Sequence, residues 1–388
     1  MSEFDVVVYG ATGFTGRLVA EYLNETYGHG ADVKWAMAGR SADKLQSVRD
    51  QIGASAETPL IEADASDKAS LEAMAARTRC VISTVGPYTL YGEALVEVCA
   101  STGTDYVDLC GEPLWMMETI KKYDDTAKKS GARIVHSCGF DSIPTDLGVW
   151  FLQEHGIETH GAPAPRVRGR VRAMKGGASG GTVASFKESM TAIAKNPALK
   201  DSMTDPFALT EGKRGPNQPT GHKPYEETET GMWVAPFIMA AINTKNIHRS
   251  NMLTGYHYGA DFVYDEMVFA GAGEAGQAIA EKVASSGFGK DAELKPGEGP
   301  SKEERESGFF DFLMIGEYPD GKIIKAGVKG DRDPGYGSTS KMLAESALCL
   351  INECADAPAG VTTPAASMGS KLCDRLANRA GVTFEIEE

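Results

Sequence analysis

Short apolar runs alternate with amphipathic segments along the first third of the chain. Six apolar runs predict buried strands, at residues 5–9, 33–38, 59–62, 80–85, 105–109 and 133–137. Five segments with apolar positions at helical spacing lie between them, at residues 16–27, 42–52, 68–77, 92–101 and 113–130. This alternation predicts a parallel, doubly wound α/β sheet of the Rossmann type.

The pattern changes after residue 163. Arginine occupies every second position from Arg166 to Arg172, which predicts a strand with one arginine-lined face. Residues 309–318 and 323–330 flank a Pro-Asp-Gly turn and predict a hairpin. Helical spacing returns over residues 341–353 and again near 368–380.

The most informative turn follows the first predicted strand and opens the first predicted helix. Its glycines permit a tight turn, a close approach of backbone to a pyrophosphate and packing of the helix on the strand. The free N–H groups and positive dipole end of the helix would then hold phosphate groups. We therefore predict that a dinucleotide contacts Gly10, Ala11, Thr12, Gly13, Phe14, Thr15 and Gly16.

The end of the second predicted strand indicates which dinucleotide binds. An acidic residue there would hydrogen-bond a ribose 2′-hydroxyl, whereas an arginine accommodates a 2′-phosphate. Arg40 occupies this place, with Ser41 beside it and Lys44 one turn later, which favours NADP(H) over NAD(H). The alternative is that Arg40 and Lys44 are solvated residues at a helix start.

Ligands of such sheets bind beyond the carboxyl ends of the strands, where three further loops lie. We expect Asp64 to meet the adenine end of the cofactor, and Val85, Gly86 and Pro87 to pass the nicotinamide ribose. Ordinary turn chemistry remains the alternative for each loop.

Composition narrows the class of protein. The 388 residues carry 39 Lys+Arg against 54 Asp+Glu, and a net charge of −15 opposes a general nucleic-acid role. Seven cysteines without a CxxC pair suit reduced thiols in a cytoplasmic protein. The N-terminus leads directly into a strand, so we expect no signal peptide. The longest apolar stretch, residues 232–242, is about half of a membrane span, and we expect no transmembrane segment.

Two features beyond residue 163 are candidates for binding. Ser179, Gly180, Gly181 and Thr182 precede a helix and could hold a substrate carboxylate, thioester oxygen or phosphate, or could simply form a capped turn. The arginine row could dock an acidic carrier protein, or could be solvated or paired with the chain's own carboxylates. The histidines show no ligand spacing, so we expect no metal site.

An acid or base should lie where the fourth, fifth and sixth strands end. A reductase of a C=C bond needs a donor to the developing enolate oxygen and a proton source. The best single candidate is Tyr88, since a phenol suits both roles. The full set of candidates is Tyr88, Tyr91, Asp108, Glu112, His136, Asp141 and Ser142.

Several motifs together resemble the saccharopine dehydrogenase-like oxidoreductase family. They are the turn at 10–16, the residues 38–41, the Val-Gly-Pro-Tyr of 85–88 with Gly92, and the run 106–112. The Ser-Gly-Gly-Thr of 179–182 and the residues 363–369 resemble the branch of the trans-acting enoyl reductases.

This resemblance implies an organisation of the chain. It implies an NADP-binding Rossmann domain over residues 1–145 and a second α+β domain with a mixed sheet over residues 146–334, which would bind substrate and could form a homodimer. Residues 335–388 would pack back onto the first domain.

The resemblance also frames the function. Trans-acting enoyl reductases use NADPH to reduce a C=C bond of a lipid-like chain, and such a substrate is our first expectation. The alternatives are a saccharopine-type amino-acid dehydrogenase acting on an imine, and a non-catalytic NADPH-binding scaffold or adaptor at a membrane surface. Arginines that point into the cleft would favour the imine, and an apolar tunnel would oppose it.

Overall fold

The first sheet contains seven parallel strands. The computed structural model describes residues 2–28, 30, 32–177, 179–286 and 297–388, and only the backbone of residues 183 and 186. The strands are β1 (Phe4–Tyr9), β2 (Trp35–Gly39), β3 (Leu60–Glu62), β4 (Thr78–Ser83), β5 (Asp105–Asp108), β6 (Arg133–Val135) and β13 (Gly360–Thr362). Their order is β13-β6-β5-β4-β1-β2-β3. The predicted Rossmann sheet is confirmed.

Helices cover both faces of this sheet. They are α1 (Phe14–Tyr27), α2 (Ala42–Gln51), α3 (Lys68–Ala75), α4 (Tyr88–Tyr91), α5 (Glu93–Thr102) and α6 (Pro113–Ser130). In β1, Val6 and Val8 belong to one apolar cluster and Val7 to the other, and all three are fully buried. Burial on both faces explains why the strands appear in the sequence as continuous apolar runs.

The second sheet is mixed, as the family resemblance implies. Its strands are β7 (Arg166–Lys175), β8 (Tyr225–Glu227), β9 (Met232–Pro236), β10 (Val263–Gly271), β11 (Phe309–Glu317), β12 (Ile323–Gly330) and β14 (Val382–Glu387). They have the order β14-β12-β11-β7-β10-β9-β8. Strands β7 and β10 pair in parallel, and the other neighbours are antiparallel.

The remaining helices pack around and between the two sheets. They are α7 (Ile143–His160), α8 (Gly180–Lys195), α9 (Leu199–Thr204), α10 (Ala240–Leu253), α11 (Gly273–Ser285), α12 (Lys302–Glu306), α13 (Thr339–Asn352) and α14 (Pro364–Arg379). A single π-helical turn, Pro334–Ser338, leads into α13. The domain boundaries near residues 145 and 335 stay predictions.

The arginine row of β7 is neutralised by the protein itself. Arg170 is fully buried, with its guanidinium 2.6 Å from Glu227 and 3.0 Å from Asp265. The other three arginines pair with carboxylates of the second domain: Arg166 with Asp265, Arg168 with Glu229 and Glu317, and Arg172 with Asp311 and Glu387. The row is therefore not the free basic surface that an acidic carrier protein would need for docking there.

The C-terminal residues belong to both sheets. Strand β13 extends the first sheet beside β6, and β14 extends the second sheet beside β12. Helix α13 packs against α1 and against β1, β4 and β5. At its centre the fully buried Glu345 accepts hydrogen bonds from Tyr22 (2.6 Å), Tyr27 (2.7 Å) and Arg375 (2.6 Å).

We expect Glu345→Ala to lower the free energy of unfolding by about 3–5 kcal/mol, because it removes the one fully buried carboxylate to which Tyr22, Tyr27 and the half-buried Arg375 all donate. Glu353 contacts the same Arg375 but is partly exposed, and Glu353→Ala should cost under about 1 kcal/mol. Urea unfolding followed by circular dichroism measures both values. Equal losses in the two variants would contradict a role for Glu345 as the anchor of α13.

Candidate functional site

A deep cleft opens at the carboxyl ends of the first sheet's strands, as expected for a doubly wound sheet. Its far side is formed by α8, by the start of α10 and by the π-helical turn. The cavity measures about 1410 Å³. Pockets for one drug-sized ligand measure roughly 300–1,000 Å³, so this cleft has room for a dinucleotide and a second molecule.

The glycine turn forms one end of the cleft. Gly10 has φ +88°, a conformation that side chains other than glycine rarely adopt. A Cβ on Gly16 would lie 2.2 Å from the carbonyl oxygen of Gly10, so α1 can approach the strand only with glycine at this position. Within the described residues no side chain caps the N-terminus of α1, which begins after Gly13. This backbone cradle fits the pyrophosphate of a dinucleotide.

The seven residues of the turn that were predicted to contact a dinucleotide fall into two groups. Gly10, Thr12, Gly13, Phe14 and Thr15 line the cleft. Ala11 is fully buried in the core and Gly16 is buried against Gly10, so these two residues shape the turn rather than its surface.

The predicted adenosine end brings Arg40 and Asp64 to the cleft wall. Hydrogen bonds from the backbone and hydroxyl of Ser66 (both 2.8 Å) hold the pKa of the Asp64 carboxyl below its usual range, and the charge of Arg40 adds to this effect. Ser41 instead caps α2 by accepting from the backbone N–H of Lys44, and neither Ser41 nor Lys44 lines the cleft.

The loop of Val85, Gly86 and Pro87 lines the middle of the cleft. A buried carboxylate fixes its far end: Glu112 accepts from the backbone N–H groups of Tyr88 and Thr89, both at 2.9 Å, and from the hydroxyl of Thr89 at 2.7 Å. Glu112, a candidate acid or base from the sequence, therefore orders this loop.

The geometry of Tyr88 does not favour its predicted role as proton donor. Its ring is buried, and its hydroxyl donates to the carbonyl oxygen of Ser83 at 3.0 Å. Burial, together with the charge of Asp108, holds the pKa of this phenol well above its usual value. The hydroxyl is thus committed to the sheet, although other atoms of Tyr88 line the cleft.

The second glycine loop lies opposite the first. Ser179, Gly180, Gly181 and Thr182 all line the cleft, and Ser179 caps α8 by accepting from the backbone N–H of Thr182. The hydroxyls of Thr182 and Tyr336 lie 2.6 Å apart. The ring of Tyr336 in turn packs edge-on against Phe14, with 5.1 Å between centroids.

Tyr336 was not among the residues predicted from the sequence. It lies in the π-helical turn, whose backbone N–H groups are capped by the buried carboxylate of Asp333. The Asp-Pro-Gly run before it predicts a turn, but nothing in the sequence indicates that this turn meets the cofactor end of the cleft.

An apolar wall faces the middle of the cleft. The apolar stretch of residues 232–242 divides into β9 and a following segment, and the second part lines the cavity with Phe237, Ile238, Met239 and Ile242. Among the described lining residues the cationic side chains are Arg40 and Lys187. The arginines of β7 are not part of the lining. This section of the cleft suits a hydrocarbon chain better than a polycarboxylate.

Other ligand types find less support in the described parts of the chain. Within them, no group of three or more His, Cys, Asp or Glu side chains could hold a metal ion. Likewise, none of their helices is both long and apolar enough to cross a membrane. All seven cysteines are free and buried.

Comparisons with known proteins agree with this arrangement. Residues 6–135 match the family described as the saccharopine dehydrogenase NADP binding domain. The fold is similar to that of the saccharopine dehydrogenase (L-Glu forming) of Saccharomyces cerevisiae, with a TM-score of 0.52 and 12% sequence identity. The match covers 99% of this chain and 100% of the yeast chain. At this identity the likeness concerns the fold. The first sheet and its helices therefore form an NADP-binding domain.

Full-length relatives are more similar in sequence. A Mycobacterium tuberculosis protein whose name includes "trans-acting enoyl reductase" is 40% identical, covering 99% of this chain and 97% of its own. The trans-acting enoyl reductase of Mycobacterium bovis is 38% identical over 98% of this chain and 97% of its own. This identity extends through the second domain as well as the first. The chain thus belongs to the trans-acting enoyl reductase family within the saccharopine dehydrogenase-like oxidoreductases.

Proposed function

We propose that the protein uses NADPH to reduce a C=C bond conjugated to the carbonyl group of an acyl or lipid-like chain. The observation that carries the proposal is the apolar wall of residues 237–242, which continues from the NADP-binding end of the same cleft. Its relatives are named as enoyl reductases, which agrees with this substrate class.

The residues of the glycine turn and of the second strand's end would hold the cofactor. The N-terminus of α1 takes the pyrophosphate, and Arg40 takes the 2′-phosphate through charge-assisted hydrogen bonds. The loop of Val85, Gly86 and Pro87 then directs the nicotinamide towards the apolar wall. When bound, NADPH supplies a hydride to the β-carbon of the acyl chain.

The second glycine loop would stabilise the charge that develops on the acyl oxygen. The N-terminus of α8 presents its positive dipole end there. The hydroxyls of Thr182 and Tyr336 share one hydrogen bond, so the pair keeps one O–H group free to donate beside it. Donors fixed in this way stabilise a negative charge most strongly where water is excluded. An acyl chain bound against the apolar wall would exclude water from this part of the cleft.

The acyl chain would enter over an apolar rim. Leu90, Tyr91, Met190 and Ile238 line the cleft and are also exposed at the surface. A carrier protein or a membrane surface could present a lipid-like chain to such a rim, so carrier-dependent or peripheral membrane action is part of the proposal.

The two alternatives lack comparable support. A saccharopine-type substrate carries several carboxylates and needs convergent cations, whereas the arginines of β7 are paired with carboxylates elsewhere. A non-catalytic scaffold needs no open, apolar space beside the nicotinamide end, and here such a space exists.

Arg40→Ala should weaken NADPH binding by about 10- to 100-fold and leave NADH binding nearly unchanged, because hydrogen bonds to a charged phosphate contribute about 1.5–3 kcal/mol. Fluorescence titration of both cofactors measures the affinity ratio. Lys44→Ala is the matched control, since Lys44 is close in sequence but does not line the cleft. An unchanged NADPH/NADH ratio in Arg40→Ala would refute the 2′-phosphate assignment.

The wild type should oxidise NADPH with trans-2-enoyl thioesters and should prefer a dodecenoyl over a crotonyl chain, by about fourfold in kcat/KM for each methylene buried. Ile238→Ser should lower kcat/KM about tenfold for the long chain only. Ile323→Ser, at an exposed position of β12 that does not line the cleft, is the control. NADPH oxidation with an amino acid and a keto acid, but not with any enoyl thioester, would instead establish reduction of an imine.

A further inference from the structure

Three of the ionisable candidates for the proton source are fully occupied by the fold. Asp108 accepts from the backbone N–H groups of Cys110 (2.9 Å) and Ser137 (3.0 Å), and its second oxygen lies 2.7 Å from Nδ1 of His136. Nε2 of His136 lies 3.1 Å from the hydroxyl of Thr119. Glu112 holds the Gly86 loop, as described above. None of these groups lies free in the cleft.

The hydroxyl groups are occupied or distant as well. Tyr88 donates to Ser83 and Tyr336 pairs with Thr182. The hydroxyl of Ser142 accepts from Nδ2 of Asn246 at 2.8 Å. Tyr91 lies on the exposed rim of the cleft.

Asp141 differs from all of these groups. It follows β6 and lines the cleft, and its carboxyl group lies beside Gly111, where a Cβ on the glycine would lie 2.8 Å from Oδ2 of Asp141. Within the described residues its carboxyl group has no hydrogen-bond partner. Nearby Phe140 and Phe237 line the same section of the cavity. An unpartnered carboxyl group in an apolar wall is positioned to meet a ligand rather than to support the fold.

We propose that Asp141 is the acid that protonates the α-carbon of the substrate. This role rests on the proposed enoyl reduction. Addition of hydride to the β-carbon breaks the C=C π bond, forms a C–H bond and leaves the electron pair on an enolate, with NADPH as the two-electron reductant. The enolate's α-carbon then takes the proton from Asp141, which becomes a carboxylate and regains a proton from water.

The surroundings of Asp141 raise its pKa, so that a large fraction of it is protonated at neutral pH. Burial raises its pKa to about 7. The titratable groups near it are Glu112 in the neighbouring loop, Cys110, and Glu266 of β10, and the charge of Asp141 raises the pKa of both Cys110 and Glu266. Burial likewise raises the pKa of Glu266 to about 7, although it accepts from Asn243 and Tyr264. Since the acid form is the active one, turnover should fall as the pH rises through about 7.

The experiment compares Asp141→Asn with the wild type, using trans-2-dodecenoyl-CoA and NADPH as probes. We expect turnover to fall by about 10²- to 10⁴-fold, the usual contribution of a general acid, with NADPH affinity unchanged. The wild type's decline in kcat above about pH 7 should be absent from the residual activity. Glu266→Gln is the matched control: it removes a carboxyl group with a similarly raised pKa that does not line the cleft, and it should keep the decline.

A second measurement needs no substrate. The infrared carbonyl bands of protonated Asp141 and Glu266 should both titrate near pH 7 in the free protein, and Asp141→Asn and Glu266→Gln should each remove one of these two components. A band near pH 7 that Asp141→Asn leaves unchanged would contradict the protonated state proposed for Asp141.

The outcomes separate the two proposals. A wild type that reduces no enoyl thioester overturns the proposed function, and the role of Asp141 with it. An active wild type whose pH decline and turnover survive in Asp141→Asn, or whose decline disappears only in Glu266→Gln, overturns the role of Asp141 alone.

Discussion

The position of the cleft depends on buried hydrogen bonds that join α7, α10 and α14. Asp146 of α7 accepts from the hydroxyl of Ser250 in α10 (2.6 Å) and from the backbone N–H of Ala365 in α14 (2.8 Å). Burial raises the pKa of Asp146 to about 6, so the fold tolerates an unfavourable environment for this carboxyl group. The contacts keep α10, which begins at the apolar wall, in a fixed position relative to the first sheet. They thereby help to hold residues 237–242 on the same cleft as the glycine turn.

The apolar lining of the cleft has two consequences. Aromatic and aliphatic side chains around residues 237–242 offer an apolar surface to a hydrocarbon chain. Burial also disfavours the charged form of Asp141. In the proposed reaction, affinity for a lipid-like chain and the supply of a proton would therefore arise together. An enzyme with a wet, cation-rich cleft would need a separate device to keep a carboxyl group protonated.

The sequence was a good guide to the first domain because its strands are buried on both faces and its glycine turn is stereochemically demanding. It was a poorer guide to the cleft. The periodicity of Arg166–Arg172 showed an arginine face but not the carboxylates of five other segments that neutralise it. Tyr88 lies where a catalytic tyrosine was expected, yet the direction of its hydroxyl depends on the carbonyl of Ser83. Such outcomes depend on distant pairings that no local pattern records.

The glycines at the start of α11 show that a glycine motif alone does not identify a dinucleotide site. The spacing of a dinucleotide turn recurs here, because Gly271 ends β10 and Gly273 and Gly276 lie in the first turn of α11. A Cβ on Gly276 would lie 2.1 Å from the carbonyl oxygen of Gly271. This approach matches that of Gly16 to Gly10. However, the turn does not line the cleft, and Glu274 places a negative charge in the first turn of α11. Close strand–helix packing explains Gly276, and positive φ angles of +112° and +62° explain Gly271 and Gly273.

The packing of the C-terminal residues against the first sheet also has a consequence for biosynthesis. The bond between Tyr22 and Glu345 joins residues 323 positions apart, and Gly360 of β13 pairs with Arg133 of β6, 227 positions before it. During translation the N-terminal residues emerge first, yet their sheet lacks its last strand until nearly the whole chain has been made. Loops of this length must close before their contacts contribute, which slows folding. The nascent first domain therefore exposes the edge of β6 while the ribosome completes the second domain, a period in which a chaperone has an exposed strand to protect.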